Sequence, residues 1–230
     1  MGAGALPAMK IRTKEELHER LDEELAWRRK ELASLSLDAQ AADGPKRDAL
    51  VRSGIALLYA HWEGFIRCAI EYYLNYVRSL RLTHDQLAPC LLGLAFQRKI
   101  GELAEASSIS LHVDFAAFVR EQAATRAALP ESISMRSNLS SSVLRDVLAG
   151  VGVDFSYFEL KEQLIDQRLV KARNEIAHGQ HLCPPVSEFV ELQHTVDEML
   201  VYVRDAVEDC AQASRYLASV YRTPPGPHNP

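Results

Sequence analysis

The sequence predicts an all-α fold, one domain with an extra N-terminal helix and an inserted helical section. Three observations carry this. Apolar residues recur at steps of three, four and seven along most of the chain. Helix-start and helix-stop signals fall between those stretches. No alternating Val/Ile/Thr run is bounded by the Asn-Gly or Asp-Gly turns of a hairpin.

Taken in order, Thr13-Lys14-Glu15-Glu16 has the Thr-x-x-Glu form of a capping box, and Leu17, Leu21, Leu25 and Leu32 follow it. This predicts a first helix over 13–36, densely charged on its outer face. Ala42-Asp43-Gly44-Pro45 breaks it, with Pro45 suited to a first helical turn. A very long helix over 45–80 then runs through Leu50, Ile55, Leu58, Trp62, Phe65, Ile66, Ala69, Tyr73 and Val77. Thr83 is expected to cap a helix reaching Ala106, and shorter helices are expected over 114–128 and 140–149. A helix over 157–172 leads into Arg173–Gly179. Pro184-Pro185 breaks the chain, and Ser187 is expected to cap a last long helix through Phe189, Leu192, Val196, Leu200, Val203 and Val207.

With no internal linker or repeat, the 230 residues read as one domain over 10–221. The Gly/Ala-rich start, 1–9, and the end, 222–230, with four prolines and a glycine, are expected to be disordered. The hydrophobic fraction of 47% and charged fraction of 25% are those of a folded protein. The formal charge of −5, from 26 Lys and Arg against 31 Asp and Glu, argues against a general cationic coat protein. A nucleic-acid ligand therefore requires a local basic patch. No apolar run approaches the roughly 18 residues of a membrane span, and the first residues lack the regions of a signal peptide. Cys68, Cys90, Cys183 and Cys210 form no CxxC pair and read as free thiols. The expectation is a soluble cytoplasmic protein without membrane contact.

Most catalytic signatures are missing: GxGxxG, the P-loop, GxSxG, HExxH and the EF-hand loop. Glu15/Glu16 and Glu23/Glu24 belong to an alternating-charge helix face. His178, His181 and Cys183 lie close in sequence, but nothing nearby completes a ligand set, so neither a metal nor another cofactor is expected. What survives is Arg173-Asn174-Glu175-Ile176-Ala177-His178-Gly179. Histidine titrates near neutrality and can take a proton from a ribose 2′-hydroxyl or return one to a leaving oxygen. Arginine stays charged and grips phosphate through paired hydrogen bonds. Spacing alone decides nothing, because Arg12/His18, Arg78/His84 and Arg222/His228 have similar separations. Context favours Arg173/His178: Ile176 and Ala177 anchor the segment, Gly179 ends it, and Asn174 and His178 share a helix face. A capped helix end with His178 satisfied by the backbone is the competing reading.

The Arg173–Gly179 segment resembles the Arg-polar-x3-His signature of HEPN domains. Ala56-Leu57-Leu58-Tyr59-Ala60-His61-Trp62-Glu63-Gly64-Phe65-Ile66 is similar to the first core helix of the family's prokaryotic MAE-type branch. Ser137-Asn138-Leu139-Ser140, followed by Leu144, Val147, Leu148 and Val151-Gly152-Val153-Asp154, is similar to a further block of it. The resemblance covers 50–205. It implies an up-down helical bundle with a core of four to five helices, and a homodimer in which two Arg/His motifs meet to form one metal-independent ribonuclease centre. It also implies a toxin–antitoxin or anti-phage setting, with an antitoxin or defence-system partner protein. By the same resemblance, Arg173 would neutralise the scissile phosphate, His178 would act as general base or acid, and Asn174 is the polar residue after the arginine. The first helix, 13–36, lies outside the resemblance.

Glu63, on an apolar stretch, is expected either to pair with Arg173 or His178 or to lie exposed at a helix turn. Arg168, Lys171 and His181 give the motif a basic surrounding and are candidate RNA contacts. Tyr72, Tyr73 and Tyr76 read as core or dimer surface ahead of base-stacking platforms. The leading expectation is a homodimeric endoribonuclease. A non-catalytic HEPN module binding RNA, a nucleotide or a protein, and a plain helical interaction protein, are the alternatives.

Overall fold

A computed structural model of the chain describes residues 10–104 and 108–221, so the expected disorder over 1–9 and 222–230 lies outside the described residues. The all-α expectation holds. Among the described residues there is no strand, and two isolated bridges join Thr83 to Arg126 and Leu87 to Leu217.

Three long helices form the frame. The first, α1 (Lys14–Ala41), starts on the capping box read from the sequence: the Thr13 hydroxyl accepts from the Glu16 amide, and Glu16 reaches back to the Thr13 amide. A two-residue break turns the chain into α2 (Gly44–Ser79), with Pro45 in its first turn. The last, α8 (Val186–Gln212), begins one residue before Ser187. Ser187 is therefore not its cap; Pro185 occupies that position, and Pro184-Pro185 sets the break.

Side-chain pairs fix the directions. Glu31 meets His61 while Glu24 meets Tyr72, so α1 and α2 run antiparallel. Arg29 meets Asp197 while Asp22 meets Arg204, so α1 and α8 are also antiparallel. The core between them is apolar and includes Leu17, Leu21, Trp62, Phe65, Val196 and Leu200. Tyr73 and Tyr76 are buried there, and the Tyr72 hydroxyl donates to Glu24, so this tyrosine group is core rather than a stacking platform.

The middle section departs from expectation. A single turn at His84–Gln86 is capped by Thr83, but Ala88 is extended (ψ 147°) because it precedes Pro89. The helix expected from Thr83 to Ala106 thus starts only at Pro89, as α3 (Pro89–Ala95). A second break at Phe96 (φ −103°, ψ 7°) separates it from α4 (Gln97–Ala104), and its expected end at Ala106 lies outside the described residues. The helix expected over 114–128 is α5 (Ile109–Gln122), which places Phe115 and Phe118 against Phe96. Next comes α6 (Ser141–Val151), with Ser140 accepting from the Val143 amide.

The chain then coils from 3₁₀ turns (Ser156–Lys161) into a π-helical stretch (Leu164–Lys171) and a final α-turn pair, α7 (Ala172–Ala177). Asp166 on the π stretch accepts from the amide and hydroxyl of Ser141, tying it to the start of α6. Among the described residues no helix is long and apolar enough to cross a membrane.

Candidate active site

The Arg173–Gly179 segment is a helix end. The amide of Gly179 bonds to the carbonyl of Ile176 (3.0 Å) and that of Gln180 to Glu175 (2.9 Å), the two bonds of a Schellman motif. Gly179 supplies the left-handed residue the motif needs, at φ +78°. His178 is the last residue of the turn, its own amide bonded to the Asn174 carbonyl (2.9 Å), and its side chain is exposed.

Arg173 points the other way, into a cleft against α2. Its guanidinium donates to the Asn174 side-chain oxygen (2.8 Å), and its Cζ lies 4.3 Å from the centre of the Tyr59 ring. The cleft has a volume of about 360 Å³. Ala56, Ala60 and Gly64 form its α2 wall, and Arg173, Ile176 and Ala177 face them. Small side chains at positions 56, 60 and 64 recur every helical turn, which leaves the groove open.

Behind Arg173 lies a polar chain. The Tyr59 hydroxyl donates to Glu63 (2.5 Å) and accepts from the Leu139 amide (2.8 Å). The other Glu63 oxygen accepts from Arg67 (2.8 Å). Burial, reinforced by the bond to Glu63, pushes the Tyr59 phenol up to about 12, so it is a neutral donor at physiological pH.

These positions revise the sequence reading. Glu63 pairs with Arg67 and Tyr59, not directly with Arg173 or His178; its link to Arg173 runs through the Tyr59 ring. The Asn174 side-chain oxygen, read from the sequence as sharing a face with His178, accepts from Arg173. Arg168 and Lys171 line a separate groove of about 250 Å³ with Ile55, Phe189 and Leu192. There the Arg168 guanidinium donates to the Glu188 carbonyl (3.2 Å). His181 is exposed beyond the helix end. The expected basic cluster is therefore divided between two faces. Tyr59 and Arg67 were missed, although Tyr59, Glu63 and Arg67 have the i, i+4 spacing of contacting residues on a helix. Among the described residues no group of three His, Cys, Asp or Glu side chains is arranged to hold a metal.

A family model described as HEPN_MAE_28990-like HEPN matches residues 17–216. The chain belongs to this HEPN family. The match takes in α1 from residue 17 and so extends beyond the 50–205 span of the resemblance. Comparison with curated proteins and with solved structures finds no match. Two of the blocks that carry the sequence resemblance meet physically: Tyr59, Glu63 and Gly64 come from the α2 block, and Arg173 from the motif block. HEPN membership ties the chain to a nuclease-like or RNA-related module.

Proposed function

We propose that this HEPN protein is a metal-independent endoribonuclease that acts as a homodimer. The observation that carries the reading is the Arg173–Asn174 pair, held by Tyr59 at an open cleft one helical turn from exposed His178. His178 removes the proton from a ribose 2′-hydroxyl, whose oxygen attacks the adjacent phosphorus. A P–O2′ bond forms and the P–O5′ bond breaks, leaving a 2′,3′-cyclic phosphate and a free 5′-hydroxyl. Arg173 balances the charge gathering on the phosphoryl oxygens.

The leaving oxygen requires a proton donor as well as a base. One copy offers only His178 on the motif helix itself, with His181 beyond its end, and a second copy related by twofold symmetry supplies the other motif histidine. We further propose, on the resemblance, that the enzyme works in a toxin or anti-phage module of the cytoplasm, held by an antitoxin or defence-system partner.

The test is cleavage of total RNA in the presence of EDTA, with cyclic-phosphate ends on the products and an oligomer mass of two chains. His178→Ala should abolish cleavage in a protein that still folds. A specific observation favours the non-catalytic alternative: His178 does not line the Arg173 cleft within one copy. Binding of RNA without turnover by a dimeric wild type would establish that second reading.

A further inference from the structure

Cations gather at one end of α2 in a protein that is acidic as a whole. A cleft of about 540 Å³ at the far end of α2 is lined by Lys10, Arg12, Arg78, Arg81 and Arg126, with Glu131 its one carboxylate. Glu131 is engaged by Arg78 (3.0 Å). Among the described residues the other four cations have no carboxylate partner. Five cations against one acid stand out in a chain with 26 basic and 31 acidic residues.

The backbone holds each cation in place. Buried Ile11 bonds through its amide to the Asn75 side-chain oxygen (2.8 Å), which fixes Lys10 and Arg12 at the rim. Arg126 is carried by a loop clipped to the residues after α2, through Ala127 amide to Leu82 carbonyl (2.9 Å) and His84 amide to Thr125 carbonyl (3.1 Å). Arg81 sits at φ +57°, a left-handed conformation that glycine would adopt without steric cost.

We propose that this cleft binds successive phosphates of a single RNA strand, at a site remote from Arg173. The inference rests on RNA as the ligand of the reading above. A strand is favoured over one small anion because five cations from three separate segments, Lys10–Arg12, the end of α2 and the Arg126 loop, line one open cleft of about 540 Å³. The cleft also lies in register with the Arg173 cleft. Asn75 and Arg78 are eleven and fourteen residues beyond Gly64, about 17 and 21 Å along α2 and within about 40° of its direction.

The test is fluorescence anisotropy with a 2′-O-methyl RNA oligonucleotide of about 12 nucleotides, which binds but cannot be cut, between about 50 and 200 mM salt. Each phosphate neutralised on a single strand contributes about 0.7 to the slope of log affinity against log salt. The double variant Arg81→Gly with Arg126→Ala should bind at least tenfold more weakly at low salt and lose about 1.4 from that slope. Arg81→Gly relieves the left-handed strain, and an unchanged melting temperature shows that weaker binding is not unfolding. Wild-type affinity and slope in the double variant would overturn the proposal. So would full displacement of the oligonucleotide by tripolyphosphate at equal phosphate concentration, which would assign the cleft to a free polyanion. Because binding is read without cleavage, weakened binding stands even if total RNA is never cut, and intact cleavage with unweakened binding overturns the cleft alone.

Discussion

The Arg173 guanidinium rests on the face of the Tyr59 ring, 4.3 Å from its centre, across 114 positions of sequence. This contact joins the motif helix to α2 and makes a neutral phenol the platform for a permanent cation.

Tyr59→Phe keeps that platform and removes the hydroxyl. The Leu139 amide then loses its partner in a buried position, and Glu63 keeps only Arg67. The expected loss is about 1–2 kcal/mol in a urea titration. The wild type should also carry an alkaline signature. A phenol raised in the fold stabilises it fully below its ordinary value of 10, and this contribution is lost as pH rises through about 12. Absorbance near the phenolate band, followed against pH, should show a tyrosine that ionises late and is absent from the variant.

Gly54→Ala should destabilise strongly for its size. A Cβ there would lie 2.5 Å from Cζ of Phe189, a ring that is itself buried between α2 and α8. The cost is about 1–3 kcal/mol, because the ring cannot retreat without opening the core. A melting temperature equal to wild type would show that the two helices can part at this point.

Gly179→Ala is expected to cost about 1 kcal/mol through its φ of +78°. Nothing lies within 4 Å of the added methyl, so the whole effect is backbone strain. Hydrogen exchange at the Gly179 and Gln180 amides should accelerate before the rest of the protein changes.

Arg28 is a buried cation on α1. It donates to the Glu24 carbonyl and carboxylate, lies over Trp27, and leaves space that Gly64 must not fill. Arg28→Ala should cost about 2 kcal/mol, because Glu24 loses its charged partner but keeps the Tyr72 and Trp27 donors. Arg28→Met combined with Glu24→Gln should recover part of that loss, and a double-mutant cycle gives the coupling.

Two histidines should titrate on opposite sides of 6.5. His18 is raised by its bond to Glu208 (3.0 Å) and by Asp22, so its contribution is full below 6.5 and is lost as pH rises through its folded value. His61 is lowered by burial, with Glu31 opposing, so its contribution is present above 6.5 and lost as pH falls through its folded value. Proton NMR titration of the two rings should give that order; the reverse order would refute the burial argument for His61.

The frame was legible because it rests on signals local to each helix. The capping box at Thr13, the Asp43-Gly44-Pro45 break and the leucine spacing of α1 act over a few residues. The break at Ala88 has a local signal as well, since a residue before proline avoids the helical region, but the apolar spacing on both sides predicts one continuous helix and hides it. Arg173, Asn174 and His178 could be named from sequence, whereas the role of Tyr59 could not. Tyr59 becomes a site residue only when the fold brings Arg173 and Leu139 to it. The π stretch was illegible for another reason: its bonding differs from an α-helix by one residue per bond, and no composition rule separates the two.

That stretch acts as a gauge of chain length. Ile165, Leu169 and Arg173 are spaced four apart, a stripe that drifts about 40° per step on an α-helix. The wider π turn reduces the drift, so two buried anchors and the motif arginine keep to one side. Substitutions that preserve those anchors leave the alignment intact, whereas removing one residue from 164–171 resets it. Insertions and deletions, more than changes of residue type, are what this part of the chain cannot absorb.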